Sequence, residues 1–147
     1  MTDAIVHKNA LLAGLAAVGA FIARALGGWD ASLQVLTALI VADYIAGITL
    51  AAIFKRSRKS KSGALSSAAG FRGLVKKGII FLIIWIAELL DRAIGASYIR
   101  TAVVLFFVGN EGISLLENIG QMGVPFPTFL KRALEALRDK GDSGGEE

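Results

Sequence analysis

The segment TAVVLFFVGNEGISLLEN, Thr101 to Asn118, runs from an uncharged, mostly apolar stretch straight into an acidic phrase. Continued as one helix, it brings residues three and four apart onto a shared face. Asn110, Glu111, Ser114, Glu117 and Asn118 then form a polar stripe, while Ile113, Leu115 and Leu116 mostly point elsewhere. In water this is an ordinary amphipathic helix. Its flanks put it in a membrane, where a carboxylate at the bilayer centre costs about 2.5–3.5 kcal/mol and needs compensation.

Composition agrees with that setting. The 147 residues are 54% hydrophobic and 19% charged, with mean hydropathy +0.61, which departs from the globular average toward a small multi-span protein of one domain. Candidate spans cover residues 10–26, 33–54, 78–94 and 98–118, each near the ~20 residues that cross a hydrocarbon core. The predicted fold is therefore all-α, an integral membrane protein of about four transmembrane helices forming a single membrane domain. Gly123 to Pro127 interrupts regular helix. A short amphipathic helix is expected over 128–140, with Leu130, Leu134 and Leu137 on one face, and it would lie on the inner leaflet or pack on the basic loop. A disordered glycine-rich tail is expected over 141–147. The first span has a second reading, because Lys8 before an apolar core and Ala23-Arg24-Ala25 match a secretory signal with its cleavage site. Alanine-rich spans produce that pattern by composition, so a retained span is the expectation.

Charge distribution sets the topology. Lys55, Arg56, Arg58, Lys59, Lys61, Arg72, Lys76 and Lys77 fall in the 55–77 loop with no acid among them, whereas the turns near Gly27 and Gly95 carry only Asp30. The positive-inside rule places this loop and the basic C-terminal segment in the cytoplasm, and with four spans the N-terminus as well. Between two apolar spans such a run reports orientation and meets anionic lipid headgroups; nucleic acid is not the expected partner.

Asp43, Glu88, Glu111 and Glu117 put acids at or near membrane depth. Ala42, Ala46 and Gly47 let another helix approach Asp43, so that aspartate faces protein or water. Glu88 and Arg92 have the i,i+4 spacing of a helical ion pair. Pairing with Arg24, Arg92 and Arg100, protonation, or water in an oligomeric lumen would compensate the acids. The candidate assembly or lumen residues are Asp43, Gly47, Glu88, Asn110, Glu111, Ser114, Glu117 and Asn118. A plainer reading makes Asp43 and Gly47 a packing contact, and Glu117 and Asn118 the hydrated end of a span. Glu111 is the acid a single copy explains least.

Enzyme chemistry finds no foothold. There is no HExxH, GxSxG or P-loop, no cysteine, and a lone His7 in the polar N-terminal segment. The glycines of SSAAGFRGLVKK follow no strand and lead to no GK[ST] ending. No catalytic, cofactor or metal residues are predicted.

Three phrases in order carry a resemblance: DYIAG at Asp43–Gly47, GFRGLVKK at Gly70–Lys77, and NEGISLLEN followed by GVPFPTFL at Gly123–Leu130. Over about two-thirds of its length the chain resembles the toxin-secretion and phage-lysis holins. The resemblance implies a phage- or prophage-encoded protein of the bacterial inner membrane that forms homo-oligomers and opens lesions for an endolysin or toxin, with an antiholin as a further partner. An ion channel or proton-coupled transporter subunit, and a non-conducting antiholin-like regulator, are the alternatives.

Overall fold

A computed structural model describes residues 2–56, 62 and 66–144. The elements are α1 (Thr2–Ala25), α2 (Ala31–Thr49), continued by a π-helical turn at Leu50–Phe54, α3 (Ser67–Ile94), α4 (Ile99–Gln121) and α5 (Thr128–Asp142). Arg58, Lys59 and Lys61 of the expected basic loop lie outside the described residues.

The helix boundaries follow local chemistry. After α1 the chain turns through Gly27 and Gly28 at φ +84° and +110°, a backbone region other residues resist. Asp30 then caps α2, its carboxylate accepting the Leu33 amide at 2.9 Å. α3 ends at Gly95 in the left-handed conformation. α4 has no side-chain cap of its own, and Asp91 of α3 replaces one by accepting the amides of Ile99 at 3.0 Å and Arg100 at 2.9 Å. A carboxylate at the start of a helix satisfies orphan amides and complements the dipole.

α4 is the centre of the packing. α2 and α3 join it in one apolar layer of Leu33, Leu36, Ile40, Ile80, Ile84, Val104 and Val108, with Leu137 of α5 packed at the margin. α1 is exposed from Ala4 to Ile22 and joins the core only at Leu26. Three helices are long and apolar enough to cross a membrane, Ala4–Ala25, Ala31–Phe54 and Ile99–Gln121. α3 has 28 residues but also carries Lys77, Glu88, Asp91 and Arg92, so its standing depends on what those charges meet.

Two expectations are corrected here. α3 starts at Ser67, well before Gly78, so Arg72, Lys76 and Lys77 stand on a helix and not in a loop. The Ser66 hydroxyl accepts the Ala69 amide at 3.4 Å, and the Tyr44 hydroxyl donates to the Gly70 carbonyl at 3.5 Å, fixing that early start. Lys55 and Arg56 remain in the connection, where Arg56 donates to the Gln121 carbonyl at 3.3 Å and ties the ends of α2 and α4.

The second correction concerns the C-terminal segment. α5 takes α4 as its main packing partner and folds back antiparallel along it. Glycines permit the approach: a Cβ at Gly109 would sit 2.4 Å from the Leu134 carbonyl oxygen, and one at Gly112 would sit 2.6 Å from the Leu134 side chain. Gly141 does the same from the α5 side, 2.3 Å from the Phe106 amide nitrogen, so Gly141 and Asp142 are helix and not tail.

The Gly141→Ala substitution therefore meets backbone, which cannot yield as a flexible side chain can. Overpacking of this kind costs about 1–3 kcal/mol. Hydrogen exchange of amides 134–142 is expected to accelerate roughly tenfold or more, while α2 and α4 amides near Leu36 and Val108 keep their protection.

Candidate functional site

The polar residues that hydropathy leaves unexplained gather into two clusters, one toward each end of the α2–α3–α4 bundle. In the cluster nearer the 55–66 connection, Lys77 of α3 lies between two carboxylates. Its ammonium donates to Asp43 Oδ2 of α2 at 2.6 Å and to Glu111 Oε2 of α4. Asn118, about two turns further along α4, donates its amide to Asp43 Oδ1 at 2.9 Å. Both Asp43 oxygens are thus occupied, and the residue is 1% exposed. Gly47 sits where α2 passes Asn118, with room for only an ordinary contact.

The geometry has a simple origin. Each of Asp43, Lys77 and Glu111 stands about three turns from the end of its helix that faces the 55–66 connection. Equal depth on three neighbouring helices lets one cation serve two acids. The cluster keeps one negative charge in excess, spread over groups that remain hydrogen-bonded.

At the other end Arg100 of α4 fastens the α1–α2 turn. Its guanidinium donates to the Leu26 carbonyl, to Asp30 Oδ2 at 2.6 Å and to the Gly28 carbonyl at 3.2 Å, and lies 3.9 Å from Glu88 Oε2. Glu88 also accepts from Arg92 at 2.7 Å, the pair expected from their spacing, and Arg92 reaches the Arg24 carbonyl at 3.1 Å. Gly27 is held to glycine by its φ of +84°, and its lack of a side chain leaves room for the Glu88 carboxylate and the Arg100 guanidinium. Burial alone would raise the Asp30 carboxyl, but hydrogen bonds from Arg100, the Leu33 amide and Ser32, together with the Arg100 charge, outweigh it and bring its pKa down to about 2.

The predicted stripe on α4 therefore divides. Glu111 and Asn118 turn inward to the Lys77 cluster; Asn110 is exposed, Ser114 half-buried, and Glu117 exposed on the outside. The expectation that a lone copy satisfies these acids poorly is corrected: among the described residues no buried side-chain nitrogen or oxygen lacks a hydrogen-bond partner. Asp91 and above all Lys77 escaped sequence reasoning in these roles; Arg100 was expected as a partner for the acids and does lie near Glu88, but its hold on the α1–α2 turn was not foreseen. Their signal was depth, counted from helix ends, and not periodicity along one helix. No group of acids and histidines suited to a metal ion occurs among the described residues.

Comparison with known proteins adds an independent line. Residues 20–139 match the model of the bacteriophage holin family. The chain is similar to a probable holin of Bacillus phage phi105, with 32% identity over 127 residues covering 85% of this chain and 88% of that one. It is also similar to an uncharacterized protein of Clostridium perfringens strain 13, at 37% identity covering 88% and 91%, and to one of Listeria innocua, at 36% covering 91% and 89%. No solved structure matches it.

Two outcomes follow from the clusters. Lys77→Met strands two buried carboxylates and is expected to lower stability in detergent by about 3–5 kcal/mol. Adding Asp43→Asn and Glu111→Gln should restore the larger part, measured by thermal unfolding; a loss under about 1 kcal/mol for the single variant would contradict the bridge. The Asp30 tie has its own pH window. Because the folded pKa lies below the ordinary value of 3.8, its contribution is present above that value and lost as pH falls toward about 2. Wild type and Asp30→Asn should differ in melting temperature at pH 5 and converge near pH 2.

Proposed function

This chain belongs to the bacteriophage holin family, and from that premise we propose that it gathers in a bacterial inner membrane, oligomerises and opens lesions through which an endolysin or toxin passes. Membership of the family points to a non-enzymatic membrane protein. Three apolar helices support the membrane setting. α3 supplies the fourth span, because the charges that spoil its hydropathy are turned to protein partners: Lys77 to Asp43 and Glu111, Glu88 to Arg92 and Arg100, Asp91 to the start of α4. With four spans the positive connection and the N-terminus lie in the cytoplasm.

The observation that carries the reading is α5. It bears seven charged residues within TFLKRALEALRDKGD and is clasped along α4, a helix apolar enough to cross the membrane. Facing lipid, each such charge near mid-bilayer costs about 2.5–3.5 kcal/mol. Facing water between subunits, the same face is hydrated. The lumen surface is therefore α5, with exposed Glu117 beside it, and the chain re-enters after α4 so that α5 starts at the cytoplasmic side and reaches back along the span. Asp43, Gly47, Glu88, Glu111 and Asn118 set the subunit's shape, and Asn110 and Ser114 border the lipid side. α1, exposed along its length, is the surface on which neighbouring copies meet.

Induced expression beside an endolysin that lacks its own export signal tests this. Abrupt lysis after a delay is expected; leakage of ions without release of the endolysin would overturn the large-lesion reading, and no effect would overturn both. The cysteine-free chain gives a second readout. A single Arg132→Cys or Lys140→Cys should react with a membrane-impermeant thiol reagent once lesions open and remain unreactive before.

A further inference from the structure

One cavity outside the proposed lumen has a chemistry of its own. Between the first half of α3 and the middle of α4 lies a space of about 470 Å³ floored by Lys77 with its two carboxylates. Arg72 and Lys76 form one wall and Asn110 and Ser114 the other. Neither Arg72 nor Lys76 has a carboxylate partner among the described residues; Arg72 reaches only the Ala68 carbonyl of its own helix, at 3.3 Å. Three cations against two acids leave the lining with one positive charge in excess, the charge that a single phosphodiester cancels. A guanidinium and an ammonium one turn apart on a helix give the forked and point-like donors that phosphate oxygens accept.

The surroundings identify the source of that phosphate. Phe71 and Leu74, on the same two turns of α3, are 67% and 54% exposed. They lie on the face of α3 turned away from the cavity, so the turns that line it also present apolar side chains outward; a cationic cavity at that depth, at the end of the bundle that carries the basic connection, sits where lipid headgroups lie and fits a lipid phosphate better than a free ion. We propose that this cavity binds the phosphodiester headgroup of an anionic membrane phospholipid, with Arg72 and Lys76 on the phosphate and Asn110 and Ser114 offering neutral hydrogen bonds across from them. The site couples subunit shape to lipid composition, because its floor is the same Lys77 cluster that joins α2, α3 and α4. It does not depend on lesion formation, and its test leaves lysis aside.

The full chain in a neutral detergent is titrated with dihexanoyl phosphatidylglycerol, dihexanoyl phosphatidylcholine and inorganic phosphate, following thermal unfolding. Phosphatidylglycerol should raise the melting temperature saturably and phosphatidylcholine should not. The Arg72→Gln/Lys76→Gln pair should weaken that affinity roughly 25-fold, about fivefold for each cation lost. Ser114→Asp, which brings a carboxylate to the phosphate while both cations stay in place, should give a comparable loss. Lys131→Gln/Arg132→Gln on α5 should leave the affinity unchanged. An equal response to phosphatidylcholine, or an equal loss from the α5 pair, overturns the site. A response to inorganic phosphate matching that to phosphatidylglycerol overturns the lipid in favour of a free-phosphate site.

Discussion

The ammonium of Lys77, held between Asp43 and Glu111, is the contact on which the rest of the bundle depends. In hydrocarbon there is little hydrophobic force to press helices together, so close packing and shared polar partners must do it. Lys77 joins three helices at one depth and leaves no carboxylate stranded. The same bond decides whether α3 can be a span at all. Read alone, α3 has too many charges; read with its partners, its inward charges are already satisfied.

Arg100 repeats the logic at the opposite end with different chemistry. Instead of bridging two acids, it collects the Leu26 and Gly28 carbonyls together with Asp30, holding the α1–α2 turn against the start of α4. Between the two clusters lies a purely apolar layer centred on Leu36, Ile84 and Val104. Polar ties at both ends with apolar packing between them fix register, which hydrocarbon contacts alone would leave free to slide. α5 then closes over α4 through Gly109, Gly112 and Gly141, and lays a charged face along a helix apolar enough to cross the membrane.

Much of this was legible in the sequence, and the gaps share a cause. Hydropathy found α2 and α4, the i,i+4 spacing found Glu88 with Arg92, and the small residues around Asp43 pointed it toward protein. Each of those signals is local to one helix. Lys77 was missed because its meaning lies in its depth relative to Asp43 and Glu111 on other helices; as a neighbour of Lys76 it looked like the end of a basic loop. The Asn110–Asn118 stripe divided because α4 has different neighbours on adjacent faces, so residues on one side of a helix wheel did not share an environment. Gly141 was read by composition as tail, whereas its lack of a side chain is what lets α5 reach Phe106.

The proposed function requires α3 to cross the membrane with its charges turned inward, which puts the connection before it and the turn after it on opposite sides. Single cysteines at Ser62 and Ser97 in the cysteine-free chain, labelled with a membrane-impermeant maleimide in intact protoplasts before any lesion opens, measure this directly. Labelling of Ser97→Cys from outside, with Ser62→Cys protected until the cells are broken, is the predicted result. Labelling of both from the same side would mean that α3 does not span, and would contradict the account.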